Sequence, residues 1–315
     1  MKRTGYGRLF PKVITGVMLG VIVVAVLLLF GDLQRVGDVL VTMPWQMLGL
    51  AFLLTLASYG LRLWKWQAFS RWASFPVSRR DNTAIFFIGL MMSITPGKAG
   101  ELIKSYLLKQ RAGVAYTASA PVVIYDRLSD LLAMLLLIGS GLLIYPIGAP
   151  LILLVAVAIV AFFLLLGRRQ LTGWLIQLVT RPRRLRRFRL GLHRFYRQMR
   201  FFMQFRLLSF SFLLSAAAWL LECVSLYVVI QAVGVDISLA ASILIFSLGT
   251  LAGALSMIPG GLGVAEGSIA GLLVYFGAGG SMAVTISLVI RFVTLWFGVI
   301  LGVLVFLLTR RRFSG

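Results

Sequence analysis

The chain has 315 residues, 60% hydrophobic and 13% charged, and its 31 Lys and Arg against 9 Asp and Glu give a net charge of +22. Soluble domains are about 45–50% apolar and about 25% charged, so a soluble enzyme or binding module is excluded. A single cysteine, Cys223, rules out an internal disulfide framework, and a single histidine, His193, argues against a His-based metal site; no metal and no cofactor is expected.

Runs of roughly 18 or more uncharged apolar residues read as membrane spans. After a basic start at residues 1–12, residues 13–30 form the first. No small-residue cleavage site precedes Gly31-Asp32, so this run is expected to remain as a signal anchor. Residues 39–61 are uncharged up to Arg62 and form the second span. Residues 82–97 are uncharged but short, and Pro96-Gly97 interrupts them. Residues 118–145 are long enough to cross, although they contain Asp126, Arg127 and Asp130. Pro146 and Pro150 bracket a tight turn, and residues 151–167 cross back. Residues 207–233 make the next span, with Glu222 inside it. Residues 237–276 are apolar but broken at Pro259-Gly260-Gly261, and residues 282–308 close the chain with Arg291 inside.

Basic residues set the orientation. Segments 1–12, 62–80, 104–111, 168–206 and 310–312 hold nearly all Lys and Arg, whereas the opposite loops near 31–43, 146–150, 234–238 and 277–281 hold only Arg35. The positive-inside rule then places both termini in the cytoplasm. The excess charge is expected to serve topology and attraction to anionic lipid, not nucleic acid. The expected location is a bacterial-type cytoplasmic (inner) membrane, crossed many times.

An internal repeat stands out. Ser93-Ile94-Thr95-Pro96-Gly97-Lys98-Ala99-Gly100-Glu101 is similar to Ser256-Met257-Ile258-Pro259-Gly260-Gly261-Leu262-Gly263, with Glu266 slightly later. About thirty residues beyond each Pro-Gly lies an intramembrane arginine, Arg127 and then Arg291, and a span flanks each broken segment on either side. The first broken segment starts and ends among positive charges, the second at loops without them. The halves therefore read as an inverted repeat with kinked or re-entrant helices, a recurring transporter design; two unrelated Pro-Gly kinks are the plainer alternative. The expected fold is an all-α polytopic bundle in one integral membrane domain, residues 1–315. Its halves, 1–167 and 207–315, are joined by the basic segment 168–206.

Charged groups at helix-centre depth each cost about 2.5–3.5 kcal/mol on insertion scales, so Asp126, Arg127 and Asp130 should face a wet cavity or one another. Asp126 and Asp130 share a helix face at i and i+4, and Arg127 reaches Asp130 at i+3. Lys98, Glu101 and Lys104 follow the first break; Glu266 follows the second, and Glu222 and Arg291 lie in flanking spans. A helix restarting after Pro-Gly offers unpaired N–H groups to a phosphate. The candidate substrate site therefore has Lys98, Arg127 and Arg291 attracting an anionic headgroup. Glu101, Asp126, Asp130 and Glu266 would hold those cations or carry protons, Lys104 and Glu222 belong to the same candidate site, and Pro96, Gly97, Gly100, Pro259, Gly260, Gly261 and Gly263 would shape the breaks. A closed set of ion pairs locking the halves together is the competing reading.

Residues 168–206 carry twelve Arg and no acidic residue, with apolar residues at helical spacing, among them Leu192, Phe195, Met199 and Phe202. Such helices lie in the membrane interface against anionic lipid. No GxxxxGK[ST], GxSxG or HExxH motif occurs, which argues against ATP-driven pumping and the common hydrolases.

The paired Pro-Gly motifs, with Tyr125-Asp126-Arg127-Leu128 between them, resemble the flippase-like integral membrane domain of the lysylphosphatidylglycerol synthases and their stand-alone relatives. The resemblance spans nearly the whole chain. It implies translocation of a lipid between leaflets, with anionic or isoprenoid-linked lipids as partners and a homo-oligomer or an envelope-biosynthesis protein as a further possible partner. The synthases continue into a soluble aminoacyl-transferase domain, whereas this chain stops at Gly315, so no enzymatic synthesis of lysyl-lipid is expected. The alternatives are a proton-coupled secondary transporter of a small anionic solute and an accessory membrane protein of envelope lipid or glycan assembly.

Overall fold

A bilayer offers no partner for backbone N–H and C=O groups, and a helix satisfies them internally. The computed structural model describes residues 43–95, 100–145 and 189–313, together with Pro150, Leu153, Val157, Leu178 and Arg181. Among the described residues every regular element is helical and no strand occurs, so the chain is an all-α membrane protein. The expected span at 13–30, most of 151–188, and Pro96, Gly97 and Lys98 lie outside the described residues.

The first half comprises α1 (Trp45–Trp72), α2 (Arg79–Met91), α3 (Ile103–Ala112) and α4 (Tyr116–Leu142). After α5 (Arg189–Phe202), the second half comprises α6 (Phe205–Ala232), α7 (Leu239–Leu255), α8 (Val264–Tyr275), α9 (Gly280–Arg291) and α10 (Phe297–Phe313). A π-helical segment, Phe292–Trp296, joins α9 to α10. α1, α6 and the rod Gly280–Thr309 are each long and apolar enough to cross a membrane. α4 has 27 residues but carries Asp126, Arg127 and Asp130.

One expected boundary is wrong. The second span does not end before Arg62: α1 continues to Trp72, with Arg62 and Lys65 buried in its body. Both cations have carboxylate partners on other helices, so here charge does not mark the membrane surface. Lys104, likewise counted among surface positive charges, is 1% exposed.

The two halves are built alike in detail. α1 and α6 both have 28 residues. Each ends in the same turn: Phe75 N–H donates to Ser70 C=O and Val77 N–H to Phe75 C=O, just as Val235 donates to Ile230 and Ile237 to Val235. Ser74 and Gly234 hold the equivalent left-handed position, at φ 54° and 72°. A serine then caps the next helix, Ser78 accepting from Asp81 N–H at 3.1 Å and Ser238 from Ala241 N–H at 3.2 Å.

α1 and α6 form the most extensive helix pair. Contacts at Ala51–Ser225, Arg62–Glu222 and Lys65–Ser215 show that they run antiparallel. Tyr125–Ser211 and Ser129–Ser215 show that α4 runs parallel to α6. α2 packs on α10 and α7 packs on α4, so the broken segment of each half lies against the closing helix of the other.

The two breaks meet. The 3₁₀ turn Met92–Ile94 touches the turn Pro259–Gly261, and Ile94, Leu262 and Val299 close a small apolar cluster there. The Thr95 hydroxyl donates to Met92 C=O at 2.7 Å and accepts Gly100 N–H at 2.6 Å, replacing helix bonds lost at the first break. At the second, Gly260 and Gly261 adopt φ 65° and 66°, a conformation that costs other residues roughly 1–2 kcal/mol. Glycines also let α7 and α8 approach: a Cβ on Gly253 would sit 2.7 Å from Ala265 Cβ.

α5 is amphipathic, as expected, but part of its apolar face is covered by protein. Phe202 packs against Phe69 and Tyr125 at centroid distances of 5.4 and 5.2 Å, while Arg194, Arg197 and Arg200 are exposed.

Gly261→Ala would combine positive φ with a Cβ 2.9 Å from Gly253 backbone. It is expected to destabilise the detergent-solubilised protein by about 2–4 kcal/mol. Gly267→Ala, in α8 with nothing within 4 Å of the added Cβ, is expected to leave the melting temperature unchanged or raise it. Equal melting curves for the two variants would contradict this assignment of the break.

Candidate functional site

A lysine deep in the bundle organises the site. Lys65 Nζ lies 2.7 Å from Asp130 Oδ1 and 2.8 Å from Asp126 Oδ1. It also donates to Ser215 Oγ at 2.7 Å and Ser129 Oγ at 3.2 Å. The two aspartates are one turn apart on α4, so a single ammonium bridges them from α1. One turn earlier on α1, Arg62 pairs with Glu222 at 2.9 Å and Asp130 at 3.3 Å, and its guanidinium stacks on Trp219 at 4.2 Å. The Ser58 hydroxyl donates to the same Glu222 oxygen at 2.9 Å. Arg62 lies seventeen residues past the start of α1 and Glu222 seventeen past the start of α6, so equivalent positions of the two helices face each other.

The network continues across α3 and α4. Arg127 meets Asp126 and Asp130 at 3.1 Å each and Glu101 at 3.3 Å. Lys104 joins Glu101 at 3.2 Å and Asp126 at 3.6 Å, with Trp66 beside it. A second, smaller unit belongs to the other half. Arg291 Nε donates to Glu266 at 2.7 Å and its Nη2 to Gly260 C=O at 2.6 Å, while Glu266 also accepts Gly263 N–H at 2.7 Å. The restarted helix α8 was expected to offer its N-terminus to a phosphate; the Glu266 carboxylate occupies it instead. Arg127 and Arg291 are each eleven residues past the start of their helix, and each pairs with the carboxylate that follows its own half's break.

Among the described residues the network holds five cations (Arg62, Lys65, Lys104, Arg127, Arg291) and five carboxylates (Glu101, Asp126, Asp130, Glu222, Glu266). Balance is required, because an unpaired buried charge costs about 3–5 kcal/mol. The balanced set is not a closed plug. A cavity of about 80 Å³, room for several waters, opens between the two breaks and is lined by Arg62, Arg127, Arg291, Glu101, Glu222 and Thr250. Asp126, Asp130, Lys65, Lys104 and Glu266 stand behind that wall and hold it in place. Arg127 is the most accessible member, its side chain 27% exposed against 3–5% for its carboxylate partners.

Glu101, Lys104, Asp126, Arg127, Asp130 and Glu222, all expected in the candidate site, come together in the structure. Glu266 and Arg291 pair across the cavity from them. Gly100, Gly261 and Gly263 use their N–H groups at the breaks, and the Pro259 C=O accepts the Leu262 N–H there. Arg62 and Lys65 were missed as site residues, with the hydroxyls of Ser58, Ser129, Ser215 and Thr250. Their signal was Leu61-Arg62-Leu63-Trp64-Lys65-Trp66, cations spaced i and i+3 in a run with no helix breaker. No group of three or more His, Cys, Asp or Glu is placed to hold a metal among the described residues.

Arg62→Met and Glu222→Gln should each lower stability in detergent by about 3 kcal/mol, and a double-mutant cycle should return about 1–3 kcal/mol of coupling. Additive effects would show that the pair does not hold α1 to α6.

The chain is similar to known membrane proteins along most of its length. Residues 17–302 match the family described as the lysylphosphatidylglycerol synthase TM region. A UPF0104 membrane protein of Methanothermobacter thermautotrophicus is 28% identical over 312 residues, covering 91% of this chain and 92% of the relative. A second from that organism is 28% identical over 307 residues, covering 90% of each. UPF0104 membrane protein PH1989 of Pyrococcus horikoshii is 22% identical over 323 residues, covering 94% of this chain and 96% of the relative. With its match running through nearly every helix described above, the chain belongs to the lysylphosphatidylglycerol synthase TM region family.

Proposed function

We propose that this protein moves an anionic or phosphate-bearing lipid between the leaflets of a cytoplasmic membrane, the headgroup passing through the charged cavity while the chains stay in lipid. The observation that carries the reading is a wall of three guanidiniums where the two broken segments meet, inside a bundle whose other buried surface is largely apolar. Guanidinium is the side chain best suited to phosphate, since its planar fork donates two parallel hydrogen bonds. Family membership supports a role connected with membrane lipid.

The halves are proposed to be two copies of one unit with opposite orientation in the membrane. The matched turns, the facing Arg62 and Glu222, and the exchange of closing helices support this. Basic residues at 71–80, 109–111 and 189–206 mark the cytoplasmic side by the positive-inside rule. In such a design the site sits near the midplane and is uncovered alternately to each side.

The test is a leaflet-specific assay in liposomes with fluorescent anionic, zwitterionic and isoprenoid-phosphate lipids. Wild-type protein is expected to transfer them selectively by headgroup. Arg127→Ala and Glu266→Gln, each verified as folded, are expected to transfer at least about tenfold more slowly, corresponding to one lost charge-assisted contact. Transfer of no lipid, with uptake of an anionic solute instead, would overturn the proposal in favour of a proton-coupled solute transporter.

A further inference from the structure

The closing rod of the chain is clamped to both halves at once. Its first arm, α9, packs on α8 and α6 of the second half, and Arg291 at its end holds Glu266 and Gly260 C=O beside the second break. Its other arm, α10, packs on α2 and α3 of the first half. Gly302 brings α10 so close to α2 that an added Cβ would sit 2.5 Å from Phe87 C=O. The π-helical segment Phe292–Trp296 separates the arms and is where the rod departs from regular α-helix.

Tyr59 of α1 reaches into this joint. In a regular α-helix Thr294 C=O would accept Gly298 N–H. Here the Tyr59 hydroxyl donates to that carbonyl at 2.5 Å and lies against Gly298, where an added Cβ would sit 2.6 Å from Tyr59 Oη. A side chain inserted into the i→i−4 ladder is an established cause of a bent helix. The surroundings suit the insertion: Phe297 stacks on the Tyr59 ring at 6.1 Å, and the Thr294 hydroxyl bonds back to Ile290 C=O at 2.7 Å. Tyr59, Thr294, Leu295 and Gly298 all line the cavity, with Arg62 three residues along α1 and Arg291 three residues back along the rod.

We propose that Tyr59 is a latch on this joint, which has two states. With the hydroxyl between Thr294 and Gly298, the rod keeps its π segment. With the hydroxyl withdrawn, Gly298 N–H takes the Thr294 carbonyl, regular α-helix runs through the joint, and α10 with α2 is realigned against α9 and the second break. The Thr294 carbonyl has a donor in both states, so neither leaves a buried acceptor unpaired. The withdrawn hydroxyl faces the polar cavity that Tyr59 lines, so the donor is not stranded either. Two states this evenly matched are what a bound substrate can shift. The latch concerns movement of the bundle and is the same whichever substrate enters the cavity.

The test is amide hydrogen exchange on the full chain in detergent, read by mass spectrometry on peptides covering residues 292–300. Gly298 lines the cavity, so water reaches its amide. Loss of a hydroxyl that merely supports packing loosens the segment and speeds exchange. The latch requires the opposite: Tyr59→Phe, which keeps the ring, is expected to slow exchange about threefold to tenfold, because Gly298 N–H gains an acceptor. Gly298→Ala, whose methyl group expels the hydroxyl from the other side, is expected to slow it likewise, and the double variant no further than either single one. Gly298→Ala also reads the joint should Tyr59→Phe fail to fold. Thr55→Val, one turn earlier on α1, removes a buried hydroxyl without a hydrogen-bond partner among the described residues, and this control is expected to match the wild type. Unchanged or faster exchange in Tyr59→Phe and Gly298→Ala, or additive slowing in the double variant, would overturn the latch. Absence of lipid transfer in liposomes bears on the function proposed above and not on these exchange rates, so the two fail separately.

Discussion

Everything in this fold is arranged around the ammonium of Lys65. Placed inside a membrane bundle, 1% exposed, it is tolerable only with carboxylates in contact. It finds two, Asp126 and Asp130, one turn apart on α4, and a hydroxyl from α6. Those contacts fix where three long helices cross and at what height. Arg62, one turn away on the same face of α1, then meets Glu222 of α6 and completes the register. Slipping α1 by a turn would leave several charges unpaired at once, so the network specifies one packing, whatever its net contribution to stability.

The same pairing divides the polar core into a wall and a backing. Residues behind the wall are paired within the protein: Lys65 and Glu266 have partners for their charged groups, and Glu266 accepts the Gly263 N–H at the start of α8. The halves contribute unequally. The position equivalent to Lys65 in α6 is Ser225, which bonds to a backbone carbonyl, and the position equivalent to Asp130 is Thr294, in the π-helical segment where the Tyr59 hydroxyl takes the freed carbonyl at 2.5 Å. Among the described residues the dense charge network braces the break of the first half, whereas the break of the second is held by the Arg291–Glu266 pair, beside a helix irregularity.

Much of this was readable from residue order. Spans appear as apolar runs because lipid forces that composition, and α4, α6 and the α7–α8 break fell within a few residues of where they were expected. The pairings Asp130–Arg127 and Glu101–Lys104 follow from helical spacing alone. Arg62 and Lys65 did not. A cation at the end of an apolar run looks the same whether it meets water or a carboxylate sixty residues away, and the partners Asp126, Asp130 and Glu222 are brought to it only by tertiary packing. The capping of α8 by Glu266 was hidden for a related reason: spacing shows that the carboxylate can reach the helix start, not that it takes the Gly263 N–H.

The cavity between the breaks is proposed to be a passage that headgroups enter, not a sealed knot of ion pairs. Its most direct test uses the chain's single, buried cysteine. In a Cys223→Ser background, Thr250→Cys places a thiol in the cavity wall, to be probed in membrane vesicles with a water-soluble thiosulfonate reagent. Labelling from the aqueous phase, and protection by a short-chain anionic lipid, are the expected results. A thiol that stays unreactive in the folded protein from either side, and reacts only on denaturation, would contradict it.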